Sequence, residues 1–174
     1  MNNFNRIIID DLINTVRSFD GIYDKETLKN SIKDKFKLTL DRSVYYNEYF
    51  AIRFSQTKSR LFSNTILSLS ALQKYDSIPF FVCQVSPSEN IMYLANSSFL
   101  KKISQSSHQL RVDNIKGSFN GSDIMKKIGE LENKPDNFEV LFIQHLGFTF
   151  NDNLSRLVEA TNEIVGRNTR YIGD

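Results

Sequence analysis

Only a few residues in this sequence have the types and spacing for chemistry, and each constellation can be checked against what its reaction needs. A metal-dependent nuclease needs an acid followed by an acid-x-lysine pair on a neighbouring strand. Two carboxylates then hold the cation and the lysine faces the attacking water. One triplet fits, Glu132-Asn133-Lys134, with Asp113 or Asp123 as the upstream acid. It lies between Gly129 and Pro135, in turn chemistry rather than on a strand, which points to a chance match. His108 stands near Ser104, Ser106 and Ser107, a nucleophile and base by type. No glycine-flanked nucleophile turn surrounds those serines, so His108 reads as a surface residue in a polar loop. His145 reads as capping or packing at a helix end. Two histidines and Cys83 are too few for a His/Cys zinc cage. Gly117-Ser118-Phe119-Asn120-Gly121 lacks the Gly-Lys-Ser/Thr ending of a phosphate loop. No catalytic residue, metal ligand or cofactor is assigned.

Two polar, basic segments remain, Ser55–Asn64 and Lys101–Asn120. Their cations suit phosphates, while their amides and hydroxyls suit phosphates or base edges. The expected DNA contacts are Arg53, just ahead of the first segment, and Gln56, Lys58, Ser59, Arg60 and Asn64 within it. The second supplies Lys101, Lys102, Ser104, Ser106, Ser107, His108, Gln109, Arg111, Asn114 and Lys116. An ordinary solvated, charged surface has the same composition.

The charge distribution supports a polyanion-binding face. Residues 1–41 balance seven cations with seven acids, residues 42–121 carry nine against four, and residues 122–163 four against eight. The basic middle lies between neutral and acidic parts. A chain of 174 residues, 40% hydrophobic and with fourteen Phe, is long enough for one folded domain. The lone Cys83, in an apolar run, fits a core thiol in a reducing compartment. With no apolar run of membrane-spanning length and no signal-peptide pattern at Met1, a soluble, cytoplasmic protein without membrane contact is expected.

Helical spacing runs over Phe4–Phe19 and Lys25–Phe36, the second behind an Asp24 cap. Alternation from Val44 to Ser55 predicts one strand, and Pro79–Val85 a buried strand with Ile91–Ala95 as its hairpin partner. Asn64–Tyr75 fits either type and leans to helix. Ser122 is placed to cap a short helix through Ile128, and helices are expected at Phe138–Leu146 and Asn153–Val165. The chain thus divides into a helical part (1–41), a β core with basic loops (42–124) and C-terminal helices (125–174). Together they form one domain, expected to belong to a longer protein.

The segments Phe62-Ser-Asn-Thr-Ile-Leu-Ser-Leu-Ser-Ala-Leu-Gln-Lys-Tyr-Asp76, Phe99-Leu-Lys-Lys-Ile-Ser104 and Asn114-Ile-Lys-Gly-Ser-Phe-Asn-Gly-Ser-Asp-Ile124 resemble restriction-system proteins. The resemblance is to the N-terminal DNA-binding region of LlaJI-type, McrB-like restriction subunits, over roughly Val44 to Ile124. It implies an α+β fold, a β pseudobarrel of the plant B-three type with flanking N- and C-terminal helices. Two arms would enter the major groove, Ser55–Asn64 and Lys101–Asn114. The implied partners are double-stranded DNA and the separate motor and nuclease subunits of a restriction complex. The two opening helices depart from that pattern. Two other readings stand beside it. One is a divergent metal-dependent restriction endonuclease using Glu132 and Lys134 with Asp113 or Asp123. The other is a protein-interaction domain whose Phe-rich helices form the contact surface.

Overall fold

A computed structural model describes residues 4–58, 66–103, 105–111 and 114–165. Two amphipathic helices open the chain, α1 (Arg6–Ser18) and α2 (Lys25–Phe36). Each starts on a side-chain cap: Asn5 Oδ1 accepts from Ile8 N at 3.1 Å, and Asp24 Oδ1 from Thr27 N at 3.1 Å. Such caps satisfy amides that the first turn leaves without a helical partner. The residues α1 buries, Ile9, Leu12, Ile13 and Val16, recur every three or four positions on one face.

Three short strands follow, β1 (Thr39–Asp41), β2 (Val44–Tyr46) and β3 (Ala51–Gln56). The single strand expected from Val44 to Ser55 is interrupted at Asn47. Its Oδ1 accepts from Tyr49 N at 2.7 Å and Phe50 N at 3.0 Å, a local turn that competes with the strand ladder. The ambiguous stretch is both of the things it resembled: β4 (Ile66–Ser68) runs directly into α3 (Leu69–Tyr75), whose cap is Ser68. Next come β5 (Phe80–Val85) and β6 (Asn90–Leu94), the expected hairpin.

The sheet order is β1-β2-β3-β5-β6, antiparallel except for the parallel pair β3–β5, which α3 connects. Every residue of β5 is buried, because both faces of the sheet are covered. On one face α1, α2 and the later helix α4 (Phe138–His145) pack on Ile52, Phe54, Phe81, Cys83 and Leu94. On the other, α3 and the last helix α5 (Phe150–Val165) pack with Ala51, Phe80 and Val82. Fully buried Phe50, Phe81 and Phe138 anchor the first core, each side chain contributing about 1.5–3 kcal/mol of transfer free energy.

A second, three-stranded sheet has the order β4-β8-β7, from β7 (Gln105–Arg111) and β8 (Asn114–Asn120). Phe119 of β8 is fully buried in the second core, which ties this sheet to the α3 and α5 side. A two-stranded hairpin, β9 (Lys127–Ile128) with β10 (Leu131–Glu132), completes the set.

The architecture is therefore mixed α+β, a five-stranded sheet with flanking helices, and the described strands do not close into a barrel. β1 follows the two helices within residues 1–41, and α3 is the helix to which Asn64–Tyr75 leaned. One further element differs from expectation. The helix expected from Ser122 to Ile128 is a single 3₁₀ turn, Gly121–Asp123, followed by the β9–β10 hairpin. The turn is closed by a reciprocal cap, Asn120 N donating to Asp123 Oδ2 at 2.9 Å, and Gly129 at φ +60° then turns the hairpin.

Candidate nucleic-acid interface

The second basic segment is not a loop. Most of it is the β7–β8 hairpin, whose outer pairs are Leu110–Ile115 and Arg111–Asn114 and whose inner pairs are Ser106–Gly117 and Gln105–Ser118. The register shifts between them. Ser107, His108 and Gln109 of β7 span the step that Lys116 alone spans on β8. Such a bulge bends and twists a strand and redirects the side chains it carries. Polar residues without strict alternation concealed the strands from periodicity, which needs one apolar face to register.

β4 pairs with only Ser118, Phe119 and Asn120 of β8. Beyond Ser118 the hairpin is a two-stranded ribbon extending about 14 Å to its tip, four residues at the usual strand rise. Asn114, Lys116, Ser118 and Asn120 alternate along β8 with Ile115, Gly117 and the buried Phe119. Arg111 is paired with Asn114 next to the tip. Ser106, Ser107, His108, Gln109, Arg111, Asn114 and Lys116 are thus all brought onto one ribbon, placed by their backbone. Ser104 lies outside the described residues.

The first basic segment leaves the main sheet at the end of β3. Gln56 Oε1 accepts from Lys25 N at 3.1 Å, so this amide joins β3 to the first turn of α2. Arg53 is half-buried on β3, with Nη1 donating to Phe54 O at 3.3 Å and Nε buried without a partner. Burial lowers its guanidinium pKa. Lys58 is exposed; Ser59, Arg60 and Asn64 lie outside the described residues. β4 begins at Ile66, opposite Asn120. The chain therefore re-enters the sheet at the base of the ribbon, about 20 Å from its tip at the usual strand rise.

Lys101 is exposed and Lys102 half-buried. Lys101 N donates to Asp123 O at 2.8 Å, and Leu100 bridges to Ile124, which fixes the entry to β7 against the Gly121–Asp123 turn. Asp123 is 2% exposed and committed to its cap, and Glu132 is exposed, 3.8 Å from Lys134. These two acids do not converge, and Asp113 lies outside the described residues. Among the described residues no group of three His, Cys, Asp or Glu is arranged to hold a metal ion.

Polar residues that sequence reasoning passed over form a buried network linking the layers. The Asp76 carboxylate accepts from Ser97 N at 2.8 Å and from Ser97 Oγ. His145, 3% exposed, places Nε2 2.8 Å from Asp76 O and Nδ1 2.6 Å from Ser98 Oγ. Nε2 donating to the carbonyl leaves Nδ1 to accept from the hydroxyl. Asn153 Nδ2 donates to both Ser97 Oγ and Ser98 Oγ at 3.0 Å, and Arg156 donates to Ser97 O and Leu100 O. The Ser98 hydroxyl is thus held between His145 and Asn153 as a junction between α4 and α5. The expected packing role of His145 at a helix end matches this placement. No local spacing in the sequence joins Asp76, Ser97, His145 and Asn153, so periodicity had no access to them.

Among the described residues no helix is long and apolar enough to cross a membrane. No protein-family model, curated protein or solved structure matches this chain.

Proposed function

We propose that this chain is a double-stranded-DNA recognition domain of a bacterial restriction system, without catalysis of its own. The observation that carries the reading is the bulged ribbon that projects past β4, whose strands carry Arg111, Asn114 and Lys116. A two-stranded ribbon fits the major groove, where Arg and Lys suit guanine and Asn suits adenine. The layered frame supports this role, because the base of the ribbon is anchored by Phe119 in a closed core. Ser55–Asn64 is the second arm of the proposal and Lys101 a flanking phosphate contact. The restriction-system setting, its motor and nuclease subunits as partners, and kinship to a pseudobarrel belong to the same reading.

Fluorescence anisotropy with a labelled randomised duplex tests it. Arg111→Glu combined with Lys116→Glu should weaken binding at least tenfold, since one base or phosphate contact is commonly worth a kcal/mol or more. Unchanged affinity in that variant would remove the ribbon from the interface. Magnesium-dependent cleavage of the duplex, lost in Glu132→Ala, would favour the endonuclease reading instead.

A further inference from the structure

Two opposite charges stand one turn apart on α5 without meeting. Asp152 and Arg156 have the spacing at which an acid ahead of a base ordinarily pairs along a helix face. Arg156 reaches instead to main-chain carbonyls, Nη1 donating to Leu100 O at 3.0 Å and Nη2 to Ser97 O at 2.9 Å. Asp152 Oδ2 accepts from Thr149 N at 3.2 Å, in the cap that starts α5. Among the described residues neither side chain has an oppositely charged partner. Burial lowers the Arg156 guanidinium pKa, and no carboxylate offsets that effect. Cations withdrawn from water are ordinarily paired, and two carbonyls use only part of a guanidinium's donor fork.

Both side chains line a cleft of about 640 Å³ where α4, α5 and β9 meet. Asp152 is exposed and Arg156 half-buried, so neither is sealed from a ligand. Much of the remaining wall is apolar, from Phe99, Met125, Ile128 and Phe148. Phe148, in the turn between α4 and α5, is 57% exposed, an aromatic ring that the fold itself leaves uncovered.

We infer that this cleft binds a free α-amino acid with a large apolar side chain. The ligand carboxylate completes the donor fork of Arg156, its ammonium meets Asp152, and its side chain lies against the apolar wall. An α-amino acid holds both charges on one carbon, which suits two side chains whose Cβ atoms are about 5–6 Å apart. One acid beside one base favours a zwitterion over a ligand of single charge. A fatty acid or a peptide C-terminus would set its carboxylate beside an unanswered Asp152, and a simple amine would leave Arg156 without its anion. Charge-assisted hydrogen bonds at both ends fix the orientation, and the volume lies in the range of small-molecule sites. The site is independent of duplex recognition by the ribbon.

Amide-resolved NMR titration of the intact chain tests this with L-phenylalanine, N-acetyl-L-phenylalanine, L-phenylalaninamide and glycine. Phenylalanine should shift the amides of Gln144, Phe148 and Asp152 saturably. The acetylated and amidated forms, each lacking one charge, should bind about tenfold weaker, the usual effect of one charge-assisted hydrogen bond left unmade. Glycine, with both charges and no side chain, should bind weaker still. Asp152→Asn keeps an oxygen for Thr149 N, and should weaken phenylalanine about tenfold while leaving N-acetylphenylalanine no weaker. If that variant does not fold, the four titrations of the native chain decide alone. No saturable shift with phenylalanine, equal affinity for phenylalanine and either blocked form, or an equal loss of both ligands in Asp152→Asn overturns the assignment.

Discussion

The triplet Glu132-Asn133-Lys134 is read two ways by sequence and structure, and alanine substitution at each position separates them. In a nuclease the outer residues matter and the middle one is a spacer. In this structure Asn133 is 3% exposed and makes three hydrogen bonds through its side chain. Two clamp Leu94 at the sheet edge and the third reaches Met125 O at 2.9 Å, so one carboxamide holds the β9–β10 hairpin against β6. Asn133→Ala removes all three and leaves buried main-chain groups without partners. At about 1 kcal/mol net for each bond, the expected loss is about 3 kcal/mol. For a chain of this length that lowers the melting temperature by roughly 6–12 °C. Glu132 and Lys134 form an exposed pair at 3.8 Å, for which alanine should cost at most about 1 kcal/mol. Urea denaturation of the three variants, followed by far-UV circular dichroism, gives the comparison directly. An Asn133→Ala variant within 1 kcal/mol of the parent, or a larger loss at Glu132, would refute the clamp.

Other consequences concern the buried groups and the acid limb of stability. His145→Ala removes bonds to Ser98 and Asp76 from the junction of α4 and α5, and should cost about 2–4 kcal/mol in the same denaturation assay. Burial pushes the Cys83 thiol pKa up, so a disulfide reagent at neutral pH should label it only at the rate of unfolding. Rapid labelling of the folded chain would contradict its place in the core. The Asp41 carboxyl is held below its ordinary value by hydrogen bonds from Lys74 Nζ at 2.6 Å and Tyr75 Oη at 2.7 Å. Its stabilisation is present above the unfolded-state pKa and is lost as pH falls through the lower folded-state value. Asp41→Asn should therefore narrow the stability difference from the parent as pH drops below about 4; an unchanged difference would contradict the pairing.

Much of the frame was legible because its signals are local. The three- and four-residue spacing of Ile9, Leu12, Ile13 and Val16, with the cap at Asp24, specifies α1 and α2 within a few residues. The run from Phe80 to Val85 declares a strand covered on both faces. Where the reading slipped, a non-local or competing interaction decided. Asn47 divides one alternating run into two strands by bonding its own turn. β7 became visible only through β8, because Ser, His and Gln carry no apolar alternation of their own. Arg53 looked like a free cation from its type; only the fold shows it half-buried in the sheet. Asn133, Asp76 and His145 are fixed by partners 21 to 69 positions away, which no window of sequence contains.

Duplex binding measured across a salt series is the direct test of the central proposal. If Lys58, Lys101, Arg111 and Lys116 each neutralise a phosphate, the logarithm of the association constant should fall against the logarithm of salt concentration with a slope of about −3.6. Reversal of Arg111 and Lys116 should bring that slope to about −1.8. No binding at low salt, or a slope that the double reversal leaves unchanged, would contradict the ribbon as the DNA-reading element.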